Sequence, residues 1–182
     1  MTPVHQRSPR TGHGSPEGPA CVTSSRLTSS DRQALLHLFE RSSPQTRRDR
    51  FHHAVSRFPQ RYMDDMLAGR QLAVVARDMR HFETCGEVIG LASAAPVPPS
   101  GTAEFAVWVD DSWQGRGVGA ALTRAIFTEL ARSGLHTAVG VVEEGNIVVR
   151  RLMERVAPGF VLRRENGVLM LALPLRSWMP AA

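Results

Sequence analysis

The sequence predicts a mixed α/β fold, one sheet with helices around it. Three observations lead there. The apolar residues change period along the chain, from helical spacing before Gly69 to strand-like runs after it. The elements then run strand, helices, three strands, helix, strand, helix, two strands, which is not a strict βαβ alternation. Finally, a glycine-rich segment around Gly115, Gly117 and Gly119 follows a strand and opens a helix.

The elements follow in order. A short strand is expected at Cys21 to Leu27, and Ser29 or Ser30 should cap a helix through about Arg41, with Leu35, Leu36, Leu38 and Phe39 as its buried stripe. Ser43-Pro44 starts a second helix, because proline suits a first turn. It carries Arg47, Arg48, Arg50, Phe51 and His52; Pro59 breaks it, and a third helical piece runs to Gly69. Gln71 to Arg77 and Glu87 to Ala95 read as strands, with a turn at Pro96, Pro98, Pro99 and Gly101 before the next. From Ala103 to Val109 the residues alternate, Phe105, Val107 and Val109 on one face and Glu104, Ala106 and Trp108 on the other. Gly117 to Ser133 is a helix stopped by Gly134, with Val118, Leu122, Ala125, Ile126 and Leu130 on one side. A strand at His136 to Glu143 and a helix at Asn146 to Val156, ended by Pro158-Gly159, come next. Phe160 to Arg163 and Val168 to Leu173 close the chain as an antiparallel pair turned at Asn166-Gly167.

At 182 residues there is room for one domain with a substantial core. Residues 1–20, rich in Pro, Gly, Ser and Arg, read as a disordered leader, 21–175 as the domain and 176–182 as a tail. No apolar stretch approaches the roughly 20 residues of a membrane span, and no signal peptide is expected. Cys21 and Cys85 make no disulfide framework and have no metal-ligand spacing, so the expectation is reduced thiols, no metal and a cytoplasmic protein. His52 and His53 are adjacent and face different ways on a helix, which is no metal site either. The net charge is +5, and all 22 basic residues are arginine. A basic surface suits an anionic ligand, an acidic protein or nucleic acid. Against nucleic acid stand only 6% aromatic residues and no basic stripe interleaved with them.

The segment Gln114-Gly115-Arg116-Gly117-Val118-Gly119-Ala120 carries most of the chemistry. Glycines let a ligand approach the backbone closely. The helix start then aims unpaired N–H groups and the positive end of the dipole at one spot, which suits phosphate, and Arg116 would add a charged contact. A P-loop fails because Ala120 and Ala121 stand where Lys and Ser/Thr are needed. A dinucleotide fingerprint fits Gly115, Gly117 and Ala120 on spacing, but Asp110 to Gln114 intervene between strand and turn. A glycine-rich helix start with no ligand is the plain alternative.

Val109-Asp110-Asp111-Ser112-Trp113-Gln114-Gly115-Arg116-Gly117-Val118-Gly119 resembles the main motif of the GNAT superfamily of acyl-CoA-dependent N-acyltransferases, Q/R-x-x-G-x-G/A after a central strand. Glu144-Gly145-Asn146 and the helix after it, ending at Gly159-Phe160, resemble the family's second motif. The resemblance covers about residues 21–175. It implies a splayed, mostly antiparallel sheet with acetyl-CoA in the splay. The pyrophosphate would then lie on the N–H groups from Gly115 to Ala120, including Arg116, Val118 and Gly119. The pantetheine arm would pair like an added strand with the backbone at Val107, Trp108 and Val109. Gln114 belongs to the same motif, and Asn146 would touch the coenzyme, although a plain helix cap explains Asn equally well.

N-acetylation needs a neutral amine, so a base must take its proton, and the thioester carbonyl needs donors as its charge develops. Glu104, early in the central strand, is the base candidate; it resembles in place the Glu that serves as base in relatives acting on protein lysines, and apolar neighbours would disfavour its charged form. A surface carboxylate at a strand end is the alternative. Many relatives carry a Tyr seven residues after the Asn to protonate the thiolate; here that position is Met153. Tyr62, the one tyrosine, either packs or lines the acceptor site. Ser42 to Phe51 resembles a stretch in bacterial protein lysine acetyltransferases of this type, where the helical region walls the acceptor site; a solvated basic face is the alternative. The expected acceptor is an amine, with a lysine of a metabolic enzyme as one form and a small amine as another. A binding module that senses acyl-CoA with little catalysis competes with the enzyme, and a monomer or homodimer is expected. Trp113 is expected to pack beside the phosphate turn and Trp178 to anchor the C-terminal end.

Overall fold

The structure, a computed structural model, describes residues 22–79, 86–165 and 168–178. Both cysteines, the leader and the Asn166-Gly167 turn lie outside the described residues. Seven strands form one sheet: β1 (Val22–Arg26), β2 (Leu72–Asp78), β3 (Glu87–Val97), β4 (Thr102–Val109), β5 (Thr137–Val142), β6 (Val161–Glu165) and β7 (Val168–Pro174), in the spatial order β1-β2-β3-β4-β5-β7-β6. Five α-helices flank it: α1 (Arg32–Arg41), α2 (Pro44–Phe51), α3 (Gln60–Leu67), α4 (Val118–Arg132) and α5 (Ile147–Val156). Every strand pair is antiparallel except β4 with β5. None of the helices is long and apolar enough to cross a membrane among the described residues.

Two apolar layers sandwich the sheet. On one side α1 and α3 lay Leu35, Leu38, Met63 and Met66 over Val75, Leu91 and Trp108. On the other, α4 lays Leu122, Ile126, Phe127 and Leu130 over Val74, Ile89 and Ala92. β2 is therefore covered on both faces, which explains its unbroken Leu-Ala-Val-Val-Ala run. Each fully buried Leu stabilises by about 1.5–3 kcal/mol relative to an exposed one.

Three boundaries differ from expectation. α2 stops at Phe51, well before Pro59, because His52 takes left-handed backbone (φ 58°) and closes the helix by donating its N–H to Arg48 C=O. The chain does not enter α1 at Ser29 or Ser30; a single 3-10 turn spans Ser29–Asp31 first. The Asp31 carboxylate accepts the backbone N–H of Thr28 at 2.8 Å and its hydroxyl at 3.0 Å, so Thr28 and Asp31 make the cap. β3 also runs on through Pro96 and Val97, which pair with Ala103 and Thr102. Proline is tolerated there because the pairing of β3 with β2 ends at Ala94.

The site is set by one failure of pairing. β4 and β5 pair only at Thr102 with Thr137, Ala103 with Ala138 and Glu104 with Val139. Beyond Glu104 the two strands separate. β4 continues paired only to β3 and β5 only to β7, so the β5-facing edge of β4 from Phe105 to Val109 has no strand partner among the described residues. At the vertex, a Cβ on Gly140 would lie 3.4 Å from Phe105 Cε1 and 3.5 Å from its carbonyl oxygen. Glycine there lets the strands touch before they part.

Candidate active site

A cavity of about 460 Å³ fills the gap between the parted strands. It is walled by β4, by β5, by α2, by the loop leading into α4, and by α5.

The glycine turn forms one end. Asp110 caps a 3-10 turn over Asp111–Trp113 by accepting the Ser112 N–H at 2.9 Å, and its other oxygen accepts from Arg41 Nε at 3.0 Å. Trp113 is buried beside the turn. Gly115 and Gly117 then take φ of 73° and 86°, which only glycine adopts cheaply, and nothing lies within 4 Å of where their side chains would be. The first intrahelical bond of α4 runs from Ala121 N–H to Gly117 C=O at 3.0 Å. None of the N–H groups from Gly115 to Ala120 donates to a described residue. They sit at the positive end of a 15-residue helix, in front of open space.

The turn is tied to α2. The Asp111 carboxylate accepts the Ser43 N–H at 2.7 Å, the Ser43 hydroxyl at 3.0 Å and the Thr46 hydroxyl at 2.6 Å. Burial alone would raise this carboxyl, but the donations from Thr46 and Ser43 outweigh it and hold it below the ordinary value. Gln114 reaches back with its amide to Val109 C=O at 3.2 Å and to Thr46 Oγ1 at 3.3 Å. Ser43 caps α2 as expected, its hydroxyl accepting the Thr46 N–H at 3.2 Å.

Of the residues singled out from sequence, Glu104, Val107, Trp108, Val109, Gln114, Gly115, Gly117, Gly119, Ala120 and Asn146 all line this cavity. Two do not. Val118 is buried in the α4 core, and the exposed Arg116 lays its guanidinium 5.4 Å from the Trp113 ring centre. Trp108 turns its side chain away, into the α1 layer, where its indole N–H donates to Ser42 Oγ at 2.9 Å. Asn146 caps α5 by accepting the Val149 N–H at 3.1 Å. Glu104 is exposed rather than enclosed by apolar neighbours. Met153 is fully buried and lies against the cavity.

Tyr62 packs; it does not line the cavity. Its ring stacks on Phe58 at 5.7 Å, and its hydroxyl bonds Ser93 Oγ at 2.6 Å. Trp178 anchors the C-terminal end, its ring 5.3 Å from Phe127.

Sequence reasoning missed Asp111 as a tie, and it treated α2 only as a stretch. Thr46, Asp49 and Arg50 of that helix and His52 just past its end all reach the cavity, as do Arg151, Leu152 and Arg155 of α5. The spacing of Thr46, Asp49 and Arg50 on one helical face is a usable signal; nothing local marks the tie to Asp111, 65 positions away. Among the described residues no group of three His, Cys, Asp or Glu is placed to hold a metal ion.

Comparison with known proteins agrees with this geometry. A family model described as acetyltransferase (GNAT) family matches residues 32–157, from the start of α1 through the end of α5. The chain is 34% identical over 90 residues to an L-methionine sulfoximine/L-methionine sulfone acetyltransferase of Pseudomonas paraeruginosa, a match covering 44% of this chain and 52% of that protein. It is 37% identical over 68 residues to the enzyme of the same name from Pseudomonas aeruginosa, covering 35% and 40%. The chain thus spans about half the length of these curated relatives or less. Among solved structures, the GNAT domain of S. lividans PAT is similar with a TM-score of 0.71 and 22% identity, over 83% of this chain and 89% of that one. The Salmonella typhimurium protein yncA, solved with its cofactor acetyl-CoA, is similar with a TM-score of 0.65 and 21% identity, over 88% and 96%. At such identities the likeness is one of fold.

Proposed function

The chain belongs to the acetyltransferase (GNAT) family, and from that membership we propose that it transfers an acetyl group from acetyl-CoA to an amine. The observation that carries the reading is the unpaired edge of β4, Phe105 to Val109, running up to the open glycine turn. An extended edge beside a ring of free N–H groups fits a linear amide-bearing arm that ends in a diphosphate. Side chains at Gly115 or Gly117 would fill that space.

Acetyl-CoA, when bound, supplies the acetyl group as a thioester. The chain's own residues do the rest. The N–H groups from Gly115 to Ala120 hold the pyrophosphate, and the β4 edge aligns the arm. Backbone N–H groups at Val107 to Val109 receive the charge that develops on the carbonyl oxygen. Glu104 takes the proton of the amine, directly or through one water, from its exposed place beside the vertex. Met153 has no proton to give, so the thiolate departs unassisted by that position.

The curated relatives are named for L-methionine sulfoximine and L-methionine sulfone, which supports a small amino compound as acceptor. The α2 segment, by its resemblance, supports a protein lysine.

Calorimetry with acetyl-CoA, followed by a thiol-release assay over small amines and lysine peptides, tests the proposal. Binding with release only when an amine is present supports it. Binding without release would make the chain an acyl-CoA-binding module, and no binding would overturn the reading.

A further inference from the structure

Arg50 has an unusual situation. It lies half-buried near the C-terminal end of α2 and lines the cavity. Its guanidinium carbon sits 5.0 Å from the Phe51 ring centre and 4.8 Å from that of Tyr62. Nη2 donates to the Tyr62 hydroxyl and to Ser93 Oγ, the latter at 3.3 Å. Both partners are neutral. No described carboxylate lies within ion-pairing distance of it, and Nε and Nη1 donate to no described residue.

Other arginines of the helical layer are differently engaged. Arg41 pairs with Glu87 and Asp110; Arg47, also without a carboxylate among the described residues, stacks on Phe39, donates to Glu40 C=O and does not line the cavity. A guanidinium held among aromatic rings without an anion loses solvation that neutral hydroxyls do not restore. It is also rigid, because α2 is tied at its other end to Asp111 and the Tyr62–Ser93 bond fixes the partner hydroxyls. Such a group is a preorganised fork for a carboxylate.

The register says where that fork lies. Ser93, which holds Arg50, pairs with Ala106 of β4. Ala106 is two residues from Glu104 on the same face, about 7 Å along the strand. A proton acceptor and an anion fork therefore flank one short stretch of cavity.

We propose that Arg50 binds a carboxylate on the acceptor, which makes the acceptor a free α-amino acid or a small analogue with amine and carboxylate on one carbon. The inference rests on the acetyl-transfer reading and adds its substrate class. The amine of such a molecule faces Glu104 while its carboxylate takes the N–H groups that Arg50 has left.

The test compares L-methionine sulfone, L-methionine sulfoximine and the common α-amino acids with their primary carboxamides and with a lysine peptide, for the wild type and for Arg50→Gln and Arg50→Lys. The wild type should prefer the free acids by about 10–100-fold in kcat/KM, the size of one charge-assisted hydrogen-bonded contact. An amide's amine gives up its proton more readily, so this preference runs against intrinsic reactivity, and that bias cancels between enzymes. Arg50→Gln should bring the acid-to-amide ratio close to one, chiefly through KM, and Arg50→Lys should restore part of it. A melt monitored by circular dichroism shows whether each variant is folded; if Arg50→Gln is not, the wild-type ratio and Arg50→Lys decide. Equal use of acids and amides by the wild type, an unchanged ratio in Arg50→Gln, or turnover confined to the peptide would overturn the inference while leaving acetyl transfer intact. Silence across the panel with acetyl-CoA bound overturns the inference also. Failure to bind acetyl-CoA removes the proposed function and the inference with it.

Discussion

The Thr46 hydroxyl donates to Asp111 Oδ1 at 2.6 Å, joining the first turn of α2 to the loop that delivers the glycine turn. Ser43 adds two donors to the same carboxylate, and Gln114 returns a contact to Thr46. The α2 wall of the cavity and the turn proposed for the pyrophosphate are thus one mechanical unit. Asp111→Ala should therefore weaken acetyl-CoA binding several-fold, although the carboxylate need not touch the ligand. Thr46→Val should do the same to a smaller degree. The double variant should be little worse than Asp111→Ala, because residues sharing one bond couple by roughly 0.5–3 kcal/mol. Calorimetric affinities for the three variants check this, and simple additivity would refute the coupling.

Acid should loosen this tie and, with it, the separate contacts that Asp31 makes with Thr28 and Arg77. Burial alone would raise the Asp31 carboxyl, but the Thr28 N–H, the Arg77 guanidinium and the Thr28 hydroxyl hold it below its ordinary value of 3.8. Asp111 is lowered in the same sense by Thr46 and Ser43. A carboxyl depressed on folding contributes stability that is complete above its unfolded value and is lost as the pH falls through the folded one. The melting temperature should accordingly hold steady above about pH 5 and fall increasingly below 3.8. Asp31→Asn and Asp111→Asn should each flatten that acid limb, and scanning calorimetry between about pH 2 and 6 reads the effect.

Much of this was legible locally. Ser43-Pro44 announces a helix start through its own side chains, and the alternation at Phe105, Val107 and Val109 announces a strand whose odd face packs on α4. Gly115 and Gly117 announce left-handed backbone because no other residue takes it cheaply. What could not be read depends on distance in sequence. The Arg50–Ser93 contact spans 43 positions and exists because β3 delivers Ser93 beneath α2. The parting of β4 from β5 was expected from the family resemblance and not from any local pattern, since β4 still pairs fully on its β3 side. The start of α1 was misplaced for a different reason. Thr28, Ser29, Ser30 and Asp31 are all good caps, and only the reach of Asp31 back to Thr28 selects among them.

Ser42 is a small buried residue with a large consequence. Its hydroxyl donates to Leu38 C=O at 2.7 Å and accepts the Trp108 indole N–H at 2.9 Å. Ser42→Ala would leave that N–H buried without a partner, a cost of about 1–3 kcal/mol. Trp108→Phe in that background removes the orphaned donor, so the double variant should lose less than the two single losses added together. Urea denaturation of the set tests this, and a Ser42→Ala protein as stable as wild type would contradict it.

Glu104→Gln separates binding from chemistry. The substitution keeps the shape and removes the proton acceptor, so turnover should fall by about 10²–10⁴. Acetyl-CoA affinity should stay within about twofold, because the glycine turn proposed to hold the pyrophosphate forms a different part of the cavity wall. A variant matching wild-type turnover at every pH would exclude Glu104 as the base.

Gly117 tests the grip itself, and two substitutions are needed to read it. At φ of 86° any side chain is strained, so Gly117→Ala measures the backbone cost alone, about 1 kcal/mol or more. Gly117→Glu adds a carboxylate in the open space before the helix start, where the diphosphate is proposed to sit. If the N–H groups of the turn hold a phosphate, the Ala variant should bind acetyl-CoA weakly and the Glu variant not at all, with similar melting temperatures for the two. Repulsion between the carboxylate and the diphosphate, not unfolding, then accounts for the difference. Retention of wild-type affinity by Gly117→Glu would mean that the ligand lies elsewhere along the splay.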